Sequence, residues 1–337
     1  MADVLVLGAG AIGSVFGGLL TKAGHNVTLL GRPPHMEAVR KAGLWIRGIW
    51  GQHRCWPSRV VTSPTELRHK FDLVLVTVKS YDTATVAPLV PNCTADPGWV
   101  VSLQNGLGNL ETLSAHVEPR RLLGGRVIFG ARIVEPGTVE VTVCAEPVRV
   151  GPFLREEVSA KKAAEHWAAE FERAGIPAEP CASIEAELWA KVFYNAALNP
   201  LGALLGCTYG LLSENAETRA IMDRVIDEAF AVASAERVAL RWGSAEEFRR
   251  ELYAVLVPRT AAHRSSMLQD LELGKRTEIE AINGEVCRRG ARYGVPTPFN
   301  ELLTRLLLAA DATARAGQTQ RRWSSNGAPK ARGLGTD

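Results

Sequence analysis

Lys191, Asn195 and Asn199 stand four residues apart in the segment KVFYNAALNP. On a helix, positions four apart drift only about 40° per step, so these three polar side chains share one stripe. Leu188, Trp189, Val192, Phe193, Ala196, Ala197 and Leu198 surround them and make the helix apolar over most of its surface. Such a helix is expected to be buried, where lysine and asparagine are costly unless satisfied. Two readings stay open: a stripe that faces a polar ligand, or a lysine that reaches solvent or pairs with Glu187 one turn earlier. A ketone that accepts hydride develops negative charge on oxygen and then needs a proton. A lysine at that oxygen can stabilise the charge and act as general acid. Asparagine carboxamides offer donors and acceptors to carboxylate and hydroxyl groups. Asn199-Pro200 is expected to end the helix and fix the last amide near a terminus.

A second polar line, Ser266 and Glu278, lies in SSMLQDLELGKRTEIEAING. A long helix should carry residues 265–270, with Gly274 interrupting it and Arg276–Glu280 opening another. Caps, and an ion pair of Asp270 with Lys275 or Arg276, account for these residues equally well. A carboxylate at 278 beside a catalytic lysine would keep it charged and oriented.

The elements that position these residues begin with a strand at Val4–Leu7, which runs directly into Gly8-Ala9-Gly10-Ala11-Ile12-Gly13 and a helix that ends at Gly24. This is the context a dinucleotide-binding turn requires. Gly8 permits the turn, Gly10 lets backbone approach a pyrophosphate, and Gly13 packs the helix close to the sheet, its first amides aimed at the phosphates. After the second strand, Asn26–Leu30, an NAD site expects a carboxylate. The chain offers Gly31-Arg32 instead. A guanidinium can grip a 2′-phosphate that a carboxylate would repel, and Lys79 adds positive charge near a ribose, so NADP(H) is the expected cofactor.

Asp72–Val78 and Trp99–Leu103 read as parallel strands buried on both faces. Their tips, Lys79-Ser80-Tyr81 and Gln104-Asn105-Gly106, should face the cofactor. Residues 126–150 alternate around Glu135-Pro136-Gly137 as an antiparallel hairpin, and 156–174 form a helix. Beyond Ser183 the pattern is almost wholly helical, at about 184–198, 214–240, 244–272, 277–292 and 299–315. The expected fold is α/β: a Rossmann-type, doubly wound N-terminal domain over 1–180, then an all-α substrate domain over 181–317, with a cleft between them. Residues 318–337 lack periodicity and read as a disordered tail, with Trp323 against the body.

A length of 337 residues favours two domains. The net charge of +3 is dispersed, which argues against a general nucleic-acid surface. No apolar run has the length of a membrane span, and the N-terminus lacks a signal-peptide pattern. The six cysteines are scattered, without metal-ligand spacing, so a cytoplasmic protein with reduced thiols and no metal site is expected. The apolar helices suit a homodimer and a monomer alike.

Five ordered motifs carry a resemblance to the ketopantoate reductases (2-dehydropantoate 2-reductases): GAGAIG at 8–13, VKSYD at 78–82, LQNGLG at 103–108, KVFYNAALNP at 191–200, and SSMLQD with TEIEAING at 265–284. The resemblance runs from Val4 to about Arg305. It implies NADPH-dependent reduction of a small 2-keto acid, ketopantoate to D-pantoate, without metal, on the way to coenzyme A. It implies that Lys191 is the general acid, that Asn195 and Asn199 line the substrate pocket, and that Ser266 binds near the substrate carboxylate. Glu278 would hold the substrate or the nicotinamide end, and Asn105 would sit between cofactor and substrate. Ala131, Lys79 and the glycine turn would contact the cofactor, and Arg32 its 2′-phosphate. Tyr209 stands where some members carry a further pocket asparagine, and His263-Arg264 where some carry an amide. Trp45, Trp50 and Trp56 are not family markers. The departures near the pocket leave another branched or aromatic 2-keto acid open. A non-catalytic NADP(H) sensor would be expected to lack Lys191, Asn195, Ser266 or Glu278, all of which are present.

Overall fold

Short apolar runs broken by glycine, with amphipathic segments between them, build the first part of the chain. In this computed structural model, residues 1–325 are described, with side chains through Ala316. The chain divides into one unit of Met1–Val192 with Arg237–Arg241, and a second of Phe193–Glu236 with the chain from Trp242 onward. The division falls inside a helix, later than the boundary at residues 180–181 that the sequence suggests.

The first unit contains, in order, β1 (Asp3–Leu7), α1 (Ala11–Lys22), β2 (Asn26–Leu30), α2 (Pro33–Ala42), β3 (Leu44–Gly48), β4 (His53–Cys55) and β5 (Arg59–Val61). β6 (Phe71–Val76), α3 (Thr83–Val86), α4 (Val90–Cys93), β7 (Thr94–Ser102), α5 (Asn109–Ser114) and β8 (Leu122–Arg126) follow. β9 (Phe129–Glu135), β10 (Thr138–Cys144), β11 (Val148–Pro152), α6 (Val158–Arg173) and β12 (Ala178–Pro180) complete it. Eight strands form one sheet in the order β12-β11-β8-β7-β6-β1-β2-β5, parallel except where β8 meets β11. Strand side chains alternate between faces. Val4 and Val6 therefore pack with Phe16, Leu19, Leu20, Trp167 and Phe171 of α1 and α6, while Leu5 and Leu7 join Val74, Val76, Leu110 and Leu113. Burying each of these larger apolar side chains contributes about 1.5–3 kcal/mol. β1 pairs in parallel with β2 on one side and β6 on the other, so the strand order reverses at β1, and a ligand crevice is expected beyond its carboxyl end.

The hairpin expected around residues 135–137 forms, with Gly137 at φ +86°. It belongs to a second sheet, β4-β3-β10-β9, in which the tryptophan-rich stretch supplies β3 and β4, and Trp50 packs on Phe129 with ring centres 4.8 Å apart.

The second unit is helical. α7 (Ile184–Leu205) begins in the first unit and continues into it; α8 (Tyr209–Glu214), α9 (Ala216–Ala235), α10 (Ala245–Glu251), α11 (Val257–Arg259), α12 (Ser266–Glu272), α13 (Asn283–Tyr293) and α14 (Pro298–Ser325) follow. Phe193 packs on Phe230 and Phe248, with centroids 5.5 and 5.3 Å apart.

Four sequence expectations need correction. Asn199-Pro200 does not end α7, which runs on to Leu205. The span 244–272 is not one helix. A π-helical stretch, Leu252–Leu256, leads into α11 around Pro258, Thr260 Oγ1 donates to the Leu256 carbonyl at 2.8 Å, and the chain leaves helix until Ser265. Asn215 likewise splits 214–240, its Oδ1 accepting from the Glu217 and Thr218 amides at the start of α9. At the far end, the α14 backbone covers 318–325 of the expected tail; residues 326–337, and the side chain of Trp323, lie outside the described residues.

Candidate functional site

The glycine turn is fitted to its neighbours. Gly8 adopts φ +109°, and a Cβ there would lie 2.5 Å from the Val78 nitrogen, so the turn rests against the chain that leaves β6. A Cβ on Gly13 would lie 2.5 Å from Thr77 Oγ1, which donates to the Gly8 carbonyl at 2.9 Å. At Gly10 a Cβ would meet nothing nearer than the Gly8 carbonyl at 3.9 Å, so its approach is open. Gly10 caps α1 with no side chain, and the amides of Ala11, Ile12 and Gly13 have no carbonyl one turn earlier. Open approach, unclaimed amides and the positive end of a helix dipole suit a diphosphate.

His35 stiffens this turn from behind. The Gly137 amide donates to its Nδ1 at 2.9 Å, which leaves the proton on Nε2 to reach Ser14 Oγ at 3.0 Å; Ser14 in turn reaches the Ala9 carbonyl. Burial holds the His35 ring below the usual histidine pKa. Neither His35 nor Ser14 is marked by sequence, because their partners come from the second sheet and from backbone.

Arg32 caps α2 at the end of β2, largely in solvent, with its guanidinium 3.8 Å from Asp82 Oδ2. Asp82 closes the 3₁₀ turn that Lys79 opens, so Arg32 lies beside the Lys79–Asp82 stretch. Ala131 lies in β9 opposite Val141, in the second sheet rather than at the strand ends that carry the others.

Lys191 Nζ donates to Asn105 Oδ1 at 2.5 Å and to the Val127 carbonyl at 2.6 Å. Asn105 sits in a loop held by buried amides. Gln104 Nε2 donates to the Val78 carbonyl and to Thr83 Oγ1, Thr83 donates to Asn109 Oδ1, and Asn109 Nδ2 donates to the Asn105 carbonyl. The same network thus ties the end of β6 to Asn105. Thr83, Asn109 and the Val127 carbonyl are missed by sequence; the only hint is the density of amides in LQNGLGN. The Glu187 pairing considered for Lys191 is not the one formed, since Glu187 Oε2 lies 3.0 Å from Arg126 Nε.

In the second unit, Asn195 and Asn199 are buried on α7. Asn199 Oδ1 accepts from the Tyr209 hydroxyl at 2.5 Å, and its carbonyl accepts from Ser265 Oγ at 3.2 Å. Burial pushes the Tyr209 hydroxyl well above its usual pKa, so it stays a donor. Its ring lies against Tyr194 and His263, at centroid distances of 5.6 and 5.2 Å. Ser265 also caps α12 through the Leu268 amide, which leaves Ser266 exposed on the first turn. Glu278 is buried beside Thr277, whose amide and hydroxyl both donate to Asp311 Oδ2 at 3.0 Å. Arg276 pairs with Glu280, and the Lys275 amide donates to the Asp270 carbonyl.

Set against known proteins, residues 4–155 match the family described as Ketopantoate reductase PanE/ApbA, and residues 183–311 match its C-terminal part. A 2-dehydropantoate 2-reductase of Aquifex aeolicus is 37% identical over 308 residues, covering 91% of this chain and 96% of its own. The crystal structure of a PanE/ApbA family ketopantoate reductase from Ralstonia eutropha superposes with a TM-score of 0.82 at 33% identity, covering 93% of this chain and 99% of its own. A D-mandelate dehydrogenase in a ternary structure with NADH and anilino(oxo)acetate shares the fold, with a TM-score of 0.84 at 23% identity over 93% of this chain and 99% of its own.

Proposed function

The chain belongs to the ketopantoate reductase family of oxidoreductases, and from that premise we propose that it reduces 2-dehydropantoate to (R)-pantoate with NADPH. The observation that carries this reading is the ammonium of Lys191 held on Asn105, in a loop tied by buried amides to the end of β6. When bound, the nicotinamide supplies the hydride. The glycine turn and the first amides of α1 take the diphosphate. Arg32, with Lys79 nearby, takes the 2′-phosphate. Lys191 Nζ stabilises negative charge on the carbonyl oxygen and delivers the proton to it. Asn195, Asn199 and Ser266 hold the carboxylate and hydroxyl groups of the substrate, and Glu278 orients the reacting end. Among the described residues no helix is long and apolar enough to cross a membrane. The free cysteines fit a cytoplasmic setting.

Another 2-keto acid is the second reading, favoured by Tyr209 on Asn199: a phenol ring where a smaller amide could stand changes the shape offered to substrate. The fold leaves this choice open, since a D-mandelate dehydrogenase has it too. The test is NADPH oxidation by the purified protein against 2-dehydropantoate and a panel of branched and aromatic 2-keto acids. A kcat/KM for 2-dehydropantoate well above the rest is expected. Preference for another acid would replace the substrate, and no turnover with any of them would remove the reductase reading.

A further inference from the structure

Glu187 precedes Lys191 by one helical turn on α7, the order in which such pairs attract best. Left to themselves they would pair along the helix and draw Nζ back toward Glu187. The structure directs Glu187 elsewhere. Its Oε2 lies 3.0 Å from Arg126 Nε, while a terminal nitrogen of the same guanidinium lies 2.5 Å from Glu146 Oε2. The Arg126 side chain is 7% exposed, against 29% for Glu187 and 30% for Glu146, so the arginine is the buried centre of the cluster. The Glu146 contact is a hydrogen bond, whereas the Nε contact to Glu187 is an ion pair without hydrogen-bond geometry, so charge rather than a shared proton holds Glu187 there. Arg126 is also the last residue of β8, and the next carbonyl in the chain, that of Val127, accepts from Lys191.

We infer that Arg126 is a positioning residue for Lys191, holding Glu187 off the ammonium while the adjoining Val127 carbonyl draws Nζ toward Asn105. This rests on the reading of Lys191 as proton donor and deepens it. Arg126 acts through Glu187 and through the strand end, not by reaching substrate. In its absence Glu187 is the nearest carboxylate on α7 to recapture Lys191, and Nζ moves away from Asn105. Displacement of a catalytic group by about 1 Å can lower turnover roughly 100-fold.

The test compares Arg126→Met, Glu187→Gln, the double variant and Lys191→Ala in the full-length enzyme, measuring kcat, KM for the keto acid, NADPH binding and melting temperature. Arg126→Met is expected to lose about 10- to 100-fold in kcat with NADPH binding unchanged. Glu187→Gln alone should keep near-wild-type kcat, and adding it to Arg126→Met should restore most of the loss. A purely structural arginine would lower the melting temperature without this rescue of kcat. A double variant as slow as Arg126→Met, or a Glu187→Gln as slow, overturns the inference. If Arg126→Met does not fold, Arg126→Lys takes its place and must be rescued by Glu187→Gln in the same way. Wild-type turnover by Lys191→Ala would instead remove the proton-donor reading itself, an outcome separate from failed rescue.

Discussion

Asn283 Nδ2 donates at 3.0 Å to the carbonyl of Ala196. Pro200, four residues beyond Ala196, has no N–H to offer it, and this is how α7 continues past Asn199-Pro200. The same Asn283 amide also donates to Asn300 Oδ1 in the first turn of α14, and Asn300 Nδ2 donates to Glu228 of α9. Four helices, α7, α9, α13 and α14, are therefore held where the proline leaves a gap.

Asn283→Ala removes the donor from a buried carbonyl and is expected to cost about 1–3 kcal/mol in denaturant unfolding. Pro200→Ala, which restores an N–H to the helix, should recover part of that loss when combined with it. A single variant as stable as wild type would mean that the Ala196 carbonyl has another partner.

Lys191→Ala should leave NADPH binding nearly unchanged and lower turnover by roughly 10²–10⁴-fold, the range of a lost general acid. Titration of cofactor fluorescence beside steady-state kinetics separates the two effects.

Arg32 lies largely in solvent, 3.8 Å from Asp82. Arg32→Ala should weaken NADPH far more than NADH, because only NADPH carries the 2′-phosphate. Equal losses for both cofactors would show that another group discriminates between them.

Tyr209→Phe keeps the ring against Tyr194 and His263 but frees the Asn199 carboxamide. KM for the keto acid should rise about threefold to tenfold, the equivalent of one hydrogen bond of roughly 1 kcal/mol, with a smaller change in kcat. If KM holds steady while Asn199→Ala raises it, Tyr209 does not orient the amide.

Burial lowers the pKa of His35 below 6.5, and its two ring bonds need the neutral form. Above 6.5 the ring is neutral folded and unfolded, so its stabilisation is fully present. As the pH drops below 6.5 the unfolded ring takes up a proton first, and stability is lost until the pH falls through the lower folded value. His25 and His263, also lowered by burial, act in the same direction. The drop in melting temperature between about pH 7.5 and pH 5.5 should be smaller in His35→Gln than in wild type; an equal drop would assign it to the other histidines.

Much of the fold is legible in local chemistry. The apolar run into Gly8-Ala9-Gly10 predicts β1, the turn and α1, and the alternation around Gly137 predicts the hairpin, because each depends on residues within a few positions of one another. Sequence also marks Lys191 and Asn105, residues 86 apart in the chain that the structure joins by a hydrogen bond. The helix limits at Pro200, Asn215 and Ser265 are less legible, since whether a proline or a capping side chain ends a helix depends on what else satisfies the backbone there.

By itself the sequence determined that a glycine turn opens a doubly wound sheet, that helices follow, and that a lysine and two amides share one stripe of an apolar helix. Only the tertiary structure decided which partners these groups take. Glu187 goes to Arg126 rather than to its helical neighbour Lys191, Lys191 takes a backbone carbonyl that no side-chain pattern encodes, and Asn283 rescues a carbonyl 87 residues away. The physical reason is that period and propensity act over one or two turns, whereas a buried polar group bonds to whatever the completed fold brings within about 3 Å of it.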